Sequence, residues 1–159
     1  MTIEGASSST SAEPLYVDFY VLIDASGSMS YPAGSTKYEH AAGTLAGLAY
    51  VLLRQGDEAG LWVAREEGPK PCPPRSVPSH LGEILATLSG TGPGGPTVLA
   101  DTLRTVSGHA RKRGLVVVAS DLLTDWEPCL ATLCGLVTRG HAVILLHVLS
   151  VDELTFPFQ

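Results

Sequence analysis

The stretch Val21-Leu-Ile-Asp-Ala-Ser-Gly-Ser-Met29 joins an apolar run to an acidic residue, then to two hydroxyls at alternate positions. The run 16–24 reads as a β-strand that carries Asp24 to one edge of a sheet. Ala25 and Gly27 permit a tight turn, which folds Ser26 and Ser28 back beside the carboxylate. Three oxygen donors on one short loop suit a small, hard divalent cation, Mg²⁺ or Mn²⁺. Because the loop is expected to be exposed at a strand end, Asp24→Ala should spare the fold.

Outward from this strand, one pattern occurs three times: an amphipathic run, a basic residue, a glycine, then an apolar run. The junctions are Leu53-Arg-Gln-Gly56, Arg111-Lys-Arg-Gly114 and Thr138-Arg-Gly140. Basic side chains complement the C-terminal end of a helix, and glycine supplies the left-handed cap. Strands are therefore predicted at 59–64, 115–120 and 142–149. The last two are almost continuously apolar, the pattern of strands buried on both faces. Helices are predicted at 37–55, 79–89, 98–113 and 127–138, with Ser79 as an N-cap and Pro128 in a first turn. Gly43 and Gly47 form a small-residue step expected to pack closely on the sheet. Residues 66–78 hold five prolines and read as a loop in which a short edge strand can form. Strands alternating with helices predict an α/β, three-layer, Rossmann-like fold with a mostly parallel central sheet flanked by helices.

The chain has 159 residues, 45% of them hydrophobic and 16% charged, with a formal charge of −6. That bounds it to one folded domain, and the acidic balance argues against nucleic acid as a partner. Residues 1–14, rich in Ser, Thr and Ala, read as a flexible leader without signal-peptide character, and 15–159 as the domain. The longest mostly apolar stretch, 41–53, is too short to span a bilayer. No direct membrane insertion and a cytoplasmic location are therefore expected. Cys72, Cys129 and Cys134 read as small buried thiols in a reducing compartment, with no grouping that suggests a zinc site. The five histidines share no ligand spacing. His147, inside an apolar strand, reads as a hydrogen-bonded core residue.

In open α/β sheets, ligands sit beyond the carboxyl ends of the strands. Asp24 leaves its strand at such an end, and so does Asp121 in Val116-Val-Val-Ala-Ser-Asp121. The glycine-rich turn Gly92-Pro-Gly-Gly-Pro-Thr97 opens a helix and brings Thr97 to its entrance. Each residue also has a plain structural reading. Asp24 could form a turn, Ser26 and Ser28 could cap it, Thr97 could cap its helix and Asp121 could pair with a basic residue. Asp125 reads as the N-cap of the 127–138 helix, and Asp101 as solvated. A metal-dependent phosphotransferase of the haloacid dehalogenase kind also places Asp after its first strand. Its chemistry needs D-x-D, and Ser26 occupies the second position here, so the chain is not read as an enzyme.

The three segments together resemble the metal-ion-dependent adhesion site of von Willebrand factor type A (vWA) domains: D-x-S-x-S, a threonine in a glycine-rich loop, and an aspartate after a hydrophobic strand. The resemblance implies that Ser26, Ser28 and Thr97 offer hydroxyl oxygens to Mg²⁺, and that Asp24 and Asp121 act largely through water. A protein partner's carboxylate would then complete the octahedron. Val98 departs from the pattern, which often has Asp after the threonine. Arg54-Gln-Gly-Asp-Glu-Ala-Gly-Leu61, Arg113 to Asp121, Arg139 to His147 and Asp152-Glu-Leu-Thr-Phe-Pro-Phe158 look like one bacterial branch of unknown function. Its genes often lie beside MoxR-class AAA+ ATPases, so the resemblance implies an adaptor in such a system. Members of this branch usually carry more chain on both sides, often with membrane segments before the domain. That leaves open the last edge strand and closing helix of the usual fold, and whether the chain is part of a longer, membrane-anchored protein.

Overall fold

The computed structural model describes residues 18–155. The predicted leader 1–14, the first two positions of the first predicted strand and the last four residues of the chain, 156–159, lie outside them. The elements run β1 (Asp18–Asp24), a 3-10 turn (Gly27–Ser30), α1 (Lys37–Gln55), β2 (Glu58–Ala64), β3 (Lys70–Arg75), α2 (His80–Ser89) and α3 (Leu99–His109). They continue with β4 (Gly114–Ser120), α4 (Glu127–Thr138), β5 (Ala142–His147) and α5 (Val151–Thr155). The sheet order is β3-β2-β1-β4-β5. All neighbours pair in parallel except β2 and β3. The expected mostly parallel α/β architecture is the one observed.

Alternate side chains of the central strands feed two cores. Val21, Ile23, Leu61, Val63, Val117 and Ala119 pack with residues of α1 and α2 on one face. Tyr20, Leu22, Trp62, Val116 and Val118 pack with those of α3 and α4 on the other. Burying one such side chain contributes roughly 1.5–3 kcal/mol, so the three layers follow from strands apolar on both faces.

Helix α1 has the predicted bounds. Thr36 and Glu39 close a capping box at its start, and Gly56 caps its end at φ 87°. Helix α4 also matches. Helix α3 stops at His109, short of the predicted 113, because Ala110 turns out of the helix at ψ 77°. Ser79 stands at the α2 N-cap position, but its side chain caps nothing. Short strand β3 forms within the proline loop. Its three prolines are tolerated because it lies on an edge, where missing N–H donors can face outward.

Three further expectations are corrected. Strand β5 ends at His147 rather than at 149, and it is not buried on both faces. Its outer edge has no strand partner among the described residues, which leaves Ile144 and Leu145 about two-fifths exposed (44% and 43%). Gly43 and Gly47 do not pack on the sheet: each faces open space. Gly43 instead lines a cleft of about 650 Å³ between α1 and α2. Gly114 is not a left-handed cap but the first residue of β4, where a Cβ would fall on the Asp18 carbonyl oxygen. Gly114→Ala should therefore force β4 away from β1 and cost about 3 kcal/mol or more, read as a drop in the thermal midpoint. Among the described residues, no helix is long and apolar enough to cross a membrane.

Candidate metal centre

From β1 the chain crosses through α1 to β2 on one side, whereas β4 pairs on the other side of β1. The order therefore reverses between β1 and β4, and a crevice at such a reversal is where open α/β sheets place ligands. Asp24 is the last residue of β1 and Asp121 directly follows β4, so the fold delivers both carboxylates to this crevice.

Asp24 is buried, with 1% of its surface exposed. Its Oδ1 accepts the Ser26 backbone N–H at 2.9 Å, and its Oδ2 accepts the Ser120 hydroxyl at 2.7 Å. The expectation of an exposed loop is thus overturned: Asp24 is a structural acceptor as well as a candidate ligand. The Ser26 and Ser28 hydroxyl oxygens lie 3.1 Å apart, so the 3-10 turn holds the two side by side. The glycine-rich loop is tied directly to this turn. Gly27 donates its N–H to the Gly95 carbonyl at 2.8 Å, and Gly94 donates to the Ala25 carbonyl at 2.8 Å.

Thr97 is carried on that tied loop. The Thr97 hydroxyl is buried and has no hydrogen-bond partner among the described residues. It does not cap α3, whose N-cap residue is Val98. The N-cap role read for Asp125 fails in the same way, since Trp126 occupies that position without a side-chain cap. Asp101, expected to be solvated, is exposed and pairs with Arg104.

Asp121 has a different neighbourhood. Its Oδ2 lies 2.8 Å from the Lys37 ammonium, and its Oδ1 accepts the Leu123 N–H at 3.1 Å. Lys37, 2% exposed, bridges at the same time to Glu153 of α5 at 2.6 Å. Burial alone would lower the Lys37 pKa; its hydrogen bonds with the two carboxylates outweigh that and raise it above the ordinary value. Partial burial would likewise raise Glu153, but bonds from Lys37 and the Ser150 N–H hold it below the usual carboxylate range. Tyr31 donates its hydroxyl to Asp152 at 2.6 Å, giving α5 a second tie to the site. His147, expected in the core, is exposed, and its Nε2 lies 3.1 Å from the Asp121 carbonyl oxygen.

The donor set of Asp24, Ser26, Ser28 and Thr97 is all oxygen, the kind Mg²⁺ takes. An orphaned buried hydroxyl costs free energy unless something binds it, which suits an ion at Thr97. Asp121 fits less simply, because Lys37 already balances its charge. Sequence reading missed three contributors: Ser120, Lys37 and Glu153. Ser120 had a signal, as a hydroxyl immediately before the strand-end aspartate. Lys37 had a weaker one, as a lysine opening a helix whose positive end disfavours cations. Glu153 had none, because its partner is 116 positions away.

Several solved structures share this fold at low identity. An aerotolerance-related membrane protein from Bacteroides fragilis is 18% identical with a TM-score of 0.64, over 83% of this chain and 67% of that one. The VWA domain of SpRpn10 is 14% identical with a TM-score of 0.61, over 87% and 79%. Proximal thread matrix protein 1 of the mussel byssus is 20% identical with a TM-score of 0.63, over 82% of this chain but 37% of that one. These likenesses establish a vWA-like fold. No curated protein matches the chain. The sequence model of a family described as "Protein of unknown function DUF58" matches residues 12–159, and the chain belongs to that family.

Proposed function

We propose that this domain is a protein-interaction module whose grip depends on a divalent metal ion, Mg²⁺ or Mn²⁺. Ser26, Ser28 and Thr97 would hold the ion through hydroxyl oxygens, and Asp24 and Asp121 would act largely through water. The metal would supply a Lewis-acidic position, open to a carboxylate from a protein partner. The observation that carries this reading is the buried, unpartnered Thr97 hydroxyl on a loop tied to the Ser26–Ser28 turn. The vWA-like fold supports an interaction role over catalysis. The implied partner is a MoxR-class AAA+ ATPase, for which this domain would be an adaptor.

Thr97→Val tests the metal assignment cleanly. The hydroxyl has no hydrogen-bond partner among the described residues, so its loss should change folding stability by less than about 1 kcal/mol. Mg²⁺ affinity, measured by isothermal titration, should fall tenfold or more. Unchanged affinity in that variant would remove Thr97 from the site. Partner capture from a purified MoxR-class ATPase should likewise vanish on chelation with EDTA, while circular dichroism stays the same.

A second reading is favoured by one observation. The Lys37 ammonium sits 2.8 Å from Asp121, so a lysine can take over the charge that a metal would otherwise supply. On that reading the domain is a structural subunit with a vestigial metal loop. The titration separates the two: saturable one-site binding supports the first, and its absence supports the second.

A further inference from the structure

Away from the strand-end crevice, the fold assembles a second group of side chains. Cys72 lies on edge strand β3, His80 is the first residue of α2, and Glu83 is one turn further on. Their ligand atoms all lie within 4.8 Å of one another. This grouping leaves no mark in the sequence, because the seven residues between Cys72 and His80, the end of β3 and a turn, match no familiar metal-ligand spacing.

The arrangement is directional. One nitrogen of the His80 ring, Nδ1, lies 3.2 Å from Glu83 Oε2, and the other, Nε2, lies 3.7 Å from Cys72 Sγ. A carboxylate on Nδ1 makes that nitrogen the N–H donor. The Nε2 lone pair then points at the sulfur. This is the way metal-ligating histidines are held, with a carboxylate on the far nitrogen. The separation also fits. Zinc bonds of about 2.3 Å to sulfur and 2.0–2.1 Å to nitrogen, at a tetrahedral angle, put the two ligands about 3.6 Å apart. His80 is fully buried and Cys72 is 5% exposed, so the pair is fixed by packing, whereas Glu83 reaches solvent at the rim. Arg75, 3.2 Å from the second Glu83 oxygen, braces the carboxylate from outside.

We propose that Cys72 Sγ and His80 Nε2 form a binding site for a thiophilic divalent cation, Zn²⁺ by its chemistry, with Glu83 as the residue that positions the imidazole. Water completes the coordination. The ion replaces the thiol proton, which leaves to solvent as the sulfur becomes a thiolate. Because binding displaces that proton, affinity rises with pH. Bound there, the ion would clip β3 to α2 across the proline loop. The site is separate from the oxygen-lined crevice in both place and preference, because sulfur and nitrogen select a softer metal than hydroxyls do.

The test is Co²⁺ titration of the full chain in saturating Mg²⁺, on a Cys134→Ser background that removes the exposed thiol. One equivalent of Co²⁺ should produce a near-ultraviolet thiolate-to-cobalt absorption band, and Zn²⁺ should displace it and raise the thermal midpoint. Cys72→Ser should abolish the band. Glu83→Ala should keep the band but weaken affinity 10–100-fold, the usual effect of removing such a support. Thr97→Val should leave the band untouched, so failure here and failure of the Mg²⁺ reading are distinguishable. Zn²⁺ should also protect Cys72 from alkylation in partly denaturing urea, a readout that does not depend on Cys72→Ser folding. No band at saturating Co²⁺, a band that survives Cys72→Ser, or no protection would each overturn the site and leave a hydrogen-bonded core pair.

Discussion

Asp24→Ala is expected to lose about 2–4 kcal/mol of folding stability together with all measurable binding of Mg²⁺. The stability loss follows from two bonds. Removing the carboxylate strands the Ser26 N–H and the buried Ser120 hydroxyl, and each unsatisfied buried donor costs roughly 1–3 kcal/mol. Asp24→Asn separates the two effects. Its carbonyl oxygen can still accept from Ser26, and the Ser120 hydroxyl can rotate to accept from the amide. That variant should keep most of the stability while losing the charge that a cation needs. Urea denaturation of both variants, alongside Mg²⁺ titration, is the measurement. An alanine variant as stable as the wild type would mean that the two bonds contribute nothing to the fold.

Lys37→Met should be comparably severe, at about 3 kcal/mol. Removing one partner of a buried ion pair typically costs 3–5 kcal/mol, because the other charge stays behind without compensation. Asp121 is in that position at 1% side-chain exposure, whereas Glu153 at 25% can turn toward water, which moderates the loss. Adding Asp121→Asn to Lys37→Met should recover part of the stability, and a double-mutant cycle measures how much. The variant also probes the metal site. With the ammonium gone, a cation beside Asp121 has no competitor, so Mg²⁺ should raise the thermal midpoint of Lys37→Met more than that of the wild type. Equal shifts would place the ion away from Asp121.

The architecture was legible in the sequence because its signals are local. Helix α1 carries a capping box at Thr36 and Glu39 and a terminal glycine at Gly56, and both act within one turn of the helix ends. Strands β1 and β4 show themselves as apolar runs bounded by charge or glycine. The errors fall where a neighbour decides. Strand β5 has the composition of a buried strand, yet its exposure is set by what lies beyond it in the sheet. Gly43 and Gly47 look like a packing motif, yet both face open space because the α1 face toward the sheet is built from Ala41, Leu45 and Ala49. At the strand ends, the sequence brought out Asp24, Ser26, Ser28, Thr97 and Asp121, and the structure places all five on the segments around one crevice. It did not bring out the pairing of Lys37 with Asp121 and Glu153, nor the grouping of Cys72 with His80. Those contacts join distant segments and leave no periodic trace.

The central place of β1 also sets a timetable for synthesis. Asp18 pairs with Glu58 on one side and with Gly114 on the other. The second partner lies 96 positions later (114 − 18). A ribosome working at about 5–20 residues per second reaches that partner roughly 5–20 s after making β1. Until then one long edge of Val21-Leu22-Ile23 stands unpaired, a template for the wrong strand, and a nascent-chain chaperone has its clearest reason to bind. The crevice closes last of all, since Ser120, Asp121 and Glu153 arrive after every other contributor. A metal ion there can reward the finished molecule but cannot guide its assembly.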